Sequence, residues 1–186
     1  MNLRRIFLSA AGILFALWIS WGVYVIYSTE RPSYQVAQSL SSQVEIRQYE
    51  EQTWISTPYK TDESSFSILA SYIFGGNKEG EKVSMTAPVI TDQQMSFILP
   101  KGIAKENAPT PDGQTIDFTT VPARKLATLT FSWFTPRSRV EKKTVELLNI
   151  LEKNNIQTKG KPFLMRYNDP WTPPFLRRNE VAIEVI

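Results

Sequence analysis

An uncharged apolar stretch near the N-terminus constrains this chain more than any other feature. Residues 6–28 read IFLSAAGILFALWISWGVYVIYS, 23 positions without a charged side chain. About 20 residues of α-helix cross a hydrocarbon layer of about 30 Å. We therefore predict an N-terminal transmembrane anchor over residues 1–28, which leaves the rest of the chain to form a separate folded domain.

The charges on either side of this stretch predict its orientation. Arg4 and Arg5 precede it, whereas Glu30 and Arg31 cancel each other after it. The positive-inside rule then keeps the N-terminus cytoplasmic and places the C-terminal domain outside the cytoplasm, in the periplasm of a Gram-negative cell. A cleaved signal peptide is the alternative, but its apolar region usually spans about 7–15 residues and ends at an A-x-A-like site. The sequence VYVIYSTERP offers no such site, so we favour an uncleaved anchor.

The composition excludes several classes of function. The chain has no histidine and no cysteine among its 186 residues. A zinc site of the usual kind, a Ser-His or Cys-His nucleophile, a heme ligated by histidine or cysteine, and disulfides are therefore excluded. Beyond Arg4 and Arg5, 19 basic and 18 acidic residues leave a net charge of +1, with the charges interspersed. A near-neutral domain of this kind argues against nucleic-acid binding.

The order of predicted elements suggests a duplicated unit. Residues 29–42 form a connector and residues 43–186 the domain. Hydrophobic patterns and turn residues predict strands at 44–50, 52–59, 81–90, 94–100, 124–134, 163–168 and 179–186, helices at 62–77 and 137–155, and a loop at 101–114. Strand, helix, strand, strand thus occurs twice. This order predicts an α+β fold in which two helices pack against a mostly antiparallel curved sheet or barrel.

The two predicted helices differ in how much of their surface is apolar. The second helix, 137–155, has one apolar face and a charged remainder. The first helix has an apolar arc of roughly 240° at 100° per residue, built from Phe66, Ile68, Leu69, Ala70, Tyr72, Ile73 and Phe74. Such a helix needs cover on a second side, from a ligand, a membrane or its own chain. The 101–114 loop and the C-terminal segment are the candidates within the chain, and these alternatives stay open.

A proline-rich segment precedes the last predicted strand. The sequence YNDPWTPPF, residues 167–175, is called the flap below; its three prolines exclude a central strand. We expect these prolines to hold Tyr167, Trp171 and Phe175 out as an apolar wall, with Arg177 and Arg178 directly after it. An apolar wall, an unusually apolar helix and two guanidinium groups suit a flat hydrophobic ligand that carries carboxylates. The alternative for either arginine is a structural ion pair, for example with Glu180.

These segments resemble the SOUL heme-binding family. The resemblance runs from about residue 34 to the C-terminus and is carried by VEIRQYE, YIFGGN followed by EKVSMTAPV, MSFILP, and RYNDPWTPPFLRRNEVAIEV. It implies a distorted eight-stranded barrel, built from two βαββ-like halves and flanked by two helices. It also implies heme or another porphyrin in a shallow hydrophobic groove between the first long helix and the C-terminal loop. The candidate ligand residues are then Phe66, Ala70, Ile73, Phe74, Tyr167, Trp171, Thr172, Arg177 and Arg178.

The chain departs from the family pattern in two respects. The histidine that some members place on the iron is missing, and the lysine of the C-terminal loop falls at about Thr172, so Arg177 or Arg178 would have to meet the propionates. Tyr72, Tyr167 or Met85 could approach a metal, but nothing in the sequence selects one of them.

Three functions follow from the sequence as hypotheses. The leading one is a monomeric, membrane-anchored tetrapyrrole carrier or buffer that performs no chemistry. The second is a hydrolase or dechelatase that uses Glu63 or Glu180 as a general base. The third is a groove that receives a lipid tail or a peptide.

Overall fold

The computed structural model describes residues 3–113 and 115–186. Residues 1–2 of the predicted anchor and Gln114 of the predicted loop lie outside the described residues. The helices are α1 (Leu3–Ser28), α2 (Asp62–Ile73) and α3 (Arg137–Lys153). The strands are β1 (Tyr34–Ser39), β2 (Val44–Tyr49), β3 (Gln52–Pro58), β4 (Val89–Thr91), β5 (Gln94–Ile98), β6 (Asp117–Val121), β7 (Arg124–Phe131), β8 (Thr158–Arg166) and β9 (Asn179–Val185).

All of these strands belong to one antiparallel sheet that curls into a half-barrel. Their order is β1-β2-β7-β9-β8-β4-β5-β3-β6. The predicted α+β class is confirmed, with nine strands where the resemblance implied eight and the sequence patterns predicted seven. The two strands that the patterns missed are β1, which lies in the predicted connector, and β6, which follows the predicted loop. Both are edge strands with mostly exposed or half-exposed side chains, so they lack the apolar alternation that reveals a strand in a sequence.

The strand pairing confirms the duplicated unit. In β3-α2-β4-β5, strands β3 and β4 both pair with β5. In β7-α3-β8-β9, strands β7 and β8 likewise both pair with β9. The two halves join where β4 pairs with β8, with Ile90 opposite Met165. A pseudo-two-fold axis therefore passes between β4 and β8, and it relates equivalent positions of the paired strands in the two halves.

The two faces of the sheet have different roles. The helix face carries both helices: α2 packs on Ile55 and Phe97, and α3 packs on Leu129 and Val181. The inner face of the curl holds the alternate side chains, among them Ile90, Ile98, Met165, Tyr167 and Ala182. A side chain's position along a strand therefore decides which surface it serves.

Three predicted boundaries are wrong. Strand β8 runs from Thr158 to Arg166 instead of 163–168, and its register with β9 shifts between Lys159 and Phe163, around Gly160, which disrupts the alternation of its first half. β4 is only three residues long, and residues 81–88 do not form a strand: the Val83 amide donates to the Ile73 carbonyl at 2.8 Å, and the Thr86 hydroxyl donates to the Ile98 carbonyl. Helix α2 ends at Ile73 instead of residue 77, since Gly75 takes a φ of +100° that only glycine adopts easily. At its start, Thr61 and Ser64 form a capping box, so Thr61 is the N-cap and Asp62 the first helical residue.

Helix α1 is long and apolar enough to cross a membrane over Phe7–Ser28, and only 6% of its apolar window is buried against the rest of the chain. A secretory signal would meet the same criteria of length and composition. The helix is joined to the sheet through Glu30, whose carbonyl accepts from the Ala87 amide at 2.9 Å. Its carboxylate accepts from the Lys101 amide, also at 2.9 Å.

Candidate functional site

Helix α2 is covered by its own chain on one side only. Leu69, Tyr72 and Ile73 are buried against the sheet. The Tyr72 hydroxyl donates to the Pro109 carbonyl at 2.7 Å, and its ring meets Phe118 of β6 edge-on. The 101–114 loop, one of the covers that the sequence left open, therefore lies over this side of the helix. Ile73, one of the predicted ligand residues, belongs to the core.

The opposite side of α2 carries an apolar stripe of Phe66, Ala70 and Phe74. These residues are spaced four apart and so lie on one face of the helix; Phe74 is the residue that caps its C-terminus. Phe66 is 40% exposed, Phe74 is 62% exposed, and Ala70 is half-buried. The Phe66 ring rests on Phe97 with centroids 5.3 Å apart, so the exposed ring is held in place by a buried one.

An ion pair shows which way the stripe faces. Asp62, one turn before Phe66, accepts two hydrogen bonds from the Arg166 guanidinium of β8, at 2.6 and 2.7 Å. Because Tyr72 points towards β6 and Asp62 towards β8, the stripe lies on the side of α2 that faces β4 and β8, between the two helices. Half-buried Val89, Thr91 and Leu164 form the floor there.

Arg166 is a cation beside this surface, and the sequence analysis did not identify it. Besides Asp62 it binds the Thr91 hydroxyl at 2.9 Å. Its hydrogen bond to Asp62 lowers the pKa of that carboxyl, against a smaller opposing effect of burial. Alternation along FLMRYN places Arg166 on the same face as Leu164, which was the available signal. Recognising it as part of the site also required knowing that β8 pairs with β4.

Tyr167 lies elsewhere than expected. It is buried on the inner face instead of standing on an exposed wall, with 5% of its surface exposed. Its hydroxyl donates to Glu180 at 2.9 Å, and Arg178 lies over its ring at 4.2 Å. Burial, and secondarily the Glu180 charge, raise the pKa of Tyr167 well above its usual range. Of the remaining flap residues, Trp171 and Phe175 are exposed and Thr172 is fully buried.

Glu180 is locked into an ion network on the inner face. It is fully buried and pairs with Arg47 at 2.8 Å and with Arg178 at 2.6 Å. Burial alone would raise the pKa of this carboxyl, but the two arginines outweigh burial and lower it. The alternative expected for the arginines is thus confirmed for Arg178. A carboxylate held ionised by two guanidinium groups is a poor general base near neutral pH.

Arg177 holds the flap together. It donates to the Thr172 carbonyl at 2.8 Å and to the Pro170 carbonyl at 2.6 Å, and it lies over the Phe134 ring at 4.9 Å. The flap in turn contacts α1, where the Trp18 indole donates to the Trp171 carbonyl at 2.7 Å. These contacts place the flap beside α1 and the β7–α3 connection, whereas the stripe faces β4 and β8.

Nothing among the described residues offers a metal ligand set. No group of three or more carboxylates that could hold a metal ion occurs in residues 3–113 and 115–186. Of the three residues that the sequence analysis named as able to approach a metal, Tyr72 and Tyr167 have hydroxyls that donate to Pro109 and Glu180, and Met85 packs against the α2 core. Glu63 is exposed in the first turn of α2.

A separate cavity of about 440 Å³ lies between the α1–β1 connector and the 98–104 segment. Its charged lining residues are Glu30, Arg31, Glu50, Glu51 and Lys101. This mixed-charge wall does not match a flat apolar ligand, so the stripe on α2 remains the better candidate site.

Solved structures with a similar fold are distant in sequence. The C-terminal domain of EcmrR is 15% identical, with a TM-score of 0.53 over 82% of this chain and 98% of that one. A hydrolase from Listeria innocua is 14% identical, with a TM-score of 0.51 over 77% of this chain and 92% of that one. At such identities the likeness concerns the fold alone. No curated protein matches the chain.

The sequence itself matches a family model over nearly all of the folded domain. The model describes the SOUL heme-binding protein and covers residues 29–184, from the end of α1 to the last strand. This range includes α2 with its apolar stripe, Arg166, the flap and the Glu180 network. The chain belongs to the SOUL heme-binding protein family.

Proposed function

We propose that this protein is a membrane-anchored tetrapyrrole-binding protein that holds heme or another porphyrin against the apolar stripe of α2. The observation that carries the proposal is the stripe itself. Phe66 and Phe74 are exposed and Ala70 is half-buried, so they form an uncovered apolar flank of α2 beside the face that packs on the sheet, in a chain of a heme-binding family. Exposed contiguous apolar surface of this kind typically marks a binding site.

The chemistry of the stripe suits a porphyrin. Two aromatic rings and a small residue between them leave room for a flat ring to lie along the helix. Arg166 pairs with Asp62, which lies one turn before Phe66 on α2. Its guanidinium is therefore close to the stripe and would bind a propionate. A bound heme would supply the iron, and the protein would supply the apolar surface and the positive charge.

The proposal includes binding without an axial protein ligand. The sequence has no histidine or cysteine, and the hydroxyls of Tyr72 and Tyr167 already have partners. Binding through the ring instead of the iron predicts similar affinities for heme and for a metal-free porphyrin. Trp171, Thr172, Arg177 and Arg178 of the predicted ligand set stay a prediction, and binding at the stripe does not depend on them.

The anchored state is part of the proposal. We place α1 across a membrane with the N-terminus in the cytoplasm and the domain, as a monomer, on the other side. Such a tether keeps the stripe close to a bilayer, where apolar tetrapyrroles accumulate. The protein would then act as a carrier or buffer of these molecules without changing them.

Titration of the full-length chain in nanodiscs tests this function, with protein-free nanodiscs as the reference. Heme and protoporphyrin IX are each expected to quench the tryptophan fluorescence saturably and with similar affinities. Ala70→Glu places a carboxylate in the stripe at a helix-compatible position and is expected to weaken both affinities at least tenfold, or about 1.4 kcal/mol.

The matched control is Val145→Glu on α3, which changes an apolar side chain that is 56% exposed on the other helix. It is expected to leave both affinities unchanged. Equal losses in the two variants, or no saturable quenching in the unmodified chain, would overturn the proposal. A lipid identified in the purified protein by native mass spectrometry, with no porphyrin binding, would favour the lipid groove instead.

A further inference from the structure

Four exposed aromatic side chains lie together beside α1. We call them the aromatic patch: Trp133, Phe134, Trp171 and Phe175, which are 47%, 54%, 77% and 44% exposed. They come from the β7–α3 connection and from the flap, which are joined where the Trp133 amide donates to the Pro174 carbonyl at 2.9 Å. Soluble surfaces rarely gather so much aromatic area in one place.

The backbone is strained where it presents one of these rings. Trp133 has a φ of 76°, in the left-handed region that non-glycine residues avoid. Besides the bond from its own amide, its carbonyl accepts from the Asn179 side chain at 2.9 Å. The structure thus holds an indole at the surface against a conformational cost, which is typical of functional positions.

The patch is attached to the apolar helix. The Trp18 indole donates to the Trp171 carbonyl at 2.7 Å. A Cβ placed on Gly22 would lie 2.7 Å from Pro173 Cδ, so the close approach of the flap depends on glycine at this position of α1. The flap and the helix therefore meet along more than one helical turn.

The level of this contact along α1 is informative. Trp18 and Gly22 precede Ser28 by ten and six residues, which at 1.5 Å per residue is about 15 and 9 Å along the helix axis. A bilayer's hydrocarbon layer is about 30 Å thick. If residues 7–28 span this layer, the contact between the flap and α1 lies inside the membrane, between its midplane and the surface nearer the domain.

The flap backbone is suited to an environment with little water. Each of the six consecutive carbonyls from Asp169 to Pro174 accepts a hydrogen bond. Pro170, Pro173 and Pro174 have no N–H group, and the amides of Trp171 and Thr172 donate to the Asp169 side chain at 2.6 and 3.0 Å. Unpaired backbone groups are what normally keeps irregular segments out of lipid.

We propose that the aromatic patch docks into the bilayer that α1 crosses, among the acyl chains of the leaflet nearer the domain. Apolar aromatic side chains on a pre-formed, internally hydrogen-bonded loop are suited to this layer. The domain is thereby held at a fixed height and orientation on the membrane instead of swinging on its connector. The proposal assigns Trp171 to lipid and rests on the insertion of α1, which the proposed function includes.

The absence of cysteine in the sequence makes site-specific labelling direct. Single substitutions Trp171→Cys and Phe175→Cys, each carrying a nitroxide, are studied in the full-length chain in nanodiscs of phosphatidylcholine and phosphatidylglycerol. Both labels are expected to be several-fold more accessible to oxygen than to a polar nickel complex, as lipid-embedded groups are. Val145→Cys on α3 is the exposed control and is expected to show the opposite ratio.

A nitroxide label at Leu14→Cys tests the insertion of α1 separately from the docking of the aromatic patch. If Leu14 reports lipid while Trp171 and Phe175 match Val145, the patch does not dock and only the anchor is retained. If Leu14 also reports water, the anchor and the docking both fail, whereas porphyrin binding is judged by its own titration.

Gly22→Leu, with far-UV circular dichroism as the check on folding, is expected to displace the flap and raise nickel accessibility at Phe175 several-fold without changing Leu14. An unchanged Phe175 signal in that variant would contradict the role given to the α1 contact.

Discussion

The two βαββ halves of the sheet have the same strand pairing, but their helices expose surfaces of different chemistry. In the first half, α2 turns an apolar stripe towards the space between the helices; in the second, α3 exposes charged residues such as Arg137 and Glu141, which pair with each other. Helix α2 begins with a capping box, whereas α3 begins after Pro136 without a side-chain cap. The pairing scheme evidently fixes the fold, so the helix surfaces can differ without altering it.

The inner face shows the same divergence at one pair of equivalent positions. The pseudo-two-fold axis relates Ser56 and Ser96 to Thr130 and Glu180. The two serines share one buried hydrogen bond of 2.7 Å. At the related place, Glu180 binds Thr130 at 3.0 Å and also two arginines. The first half thus carries the apolar stripe, and the second carries the buried carboxylate of Glu180.

The largest expected difference between the halves is in stability. Glu180→Gln leaves buried Arg47 without its main counter-charge and is expected to lower the free energy of unfolding by about 3–5 kcal/mol. Ser96→Ala, at the equivalent position, removes one neutral hydrogen bond and is expected to cost about 1 kcal/mol. Urea unfolding of the full-length chain in detergent, followed by circular dichroism, measures both; equal losses would contradict the comparison.

The same pair of variants separates ionisation from packing. Because the folded pKa of Glu180 is lowered, its charge adds stability that is complete above the unfolded value of about 4.3. That stability is lost as the pH falls through the folded pKa. The urea midpoint of the unmodified chain should therefore drop more steeply below pH 4 than that of Glu180→Gln, while Ser96→Ala should follow the unmodified chain.

A smaller effect is expected on the affinity of the α2 surface for carboxylates. Arg166→Gln removes the guanidinium beside the stripe and is expected to weaken heme binding about threefold to tenfold, by loss of one charge-assisted hydrogen bond. The dimethyl ester of protoporphyrin, which has no free propionate, should bind both forms alike. Lys143→Gln on α3, where the lysine pairs with Glu146 at 2.8 Å, is the control. A similar loss for the ester would contradict a propionate contact.

The smallest effect is expected at the start of α2. Asp62→Asn weakens the pair with Arg166, but the Asp62 side chain is 58% exposed, so the expected cost is below about 1 kcal/mol. Because the pKa of Asp62 is lowered, this contribution is present above its ordinary pKa of about 3.9 and disappears as the pH falls through the folded value. Differential unfolding at pH 7 and pH 3 measures it, and a difference that persists at pH 3 would point to helix capping instead.

The sequence predicted those parts of the fold that repeat a local pattern. Helix α3 and strands β2, β3, β5 and β9 were placed within two residues, since their apolar periodicity reflects their own burial. Edge strands β1 and β6 were missed because they bury little. Residues 81–88 were wrongly predicted to be a strand because their β-branched residues are typical of strands. In the structure Val83 and Thr86 donate hydrogen bonds to the end of α2 and to the last carbonyl of β5, so the segment does not form a ladder.

The candidate site was predictable to the extent that it lies on one element. Helical spacing placed Phe66, Ala70 and Phe74 on a broad apolar arc, and the family resemblance then selected them as ligand residues. Arg166 required the register between β4 and β8, which no local pattern contains. Tyr167 was expected at the surface because prolines follow it, but the alternation of β8 and its partner Glu180 place it inside.

The Glu180 network has a consequence for how cargo is exchanged. Arg47, Arg178 and Tyr167 occupy part of the concave side of the curl with paired, buried groups, whereas the proposed ligand would rest on the outer flank of α2. A molecule resting on the outer flank of α2 can arrive and depart without any rearrangement of the chain. The rate of ligand exchange would then depend on the strength of these surface contacts alone, which suits a protein that passes its ligand on better than one that stores it.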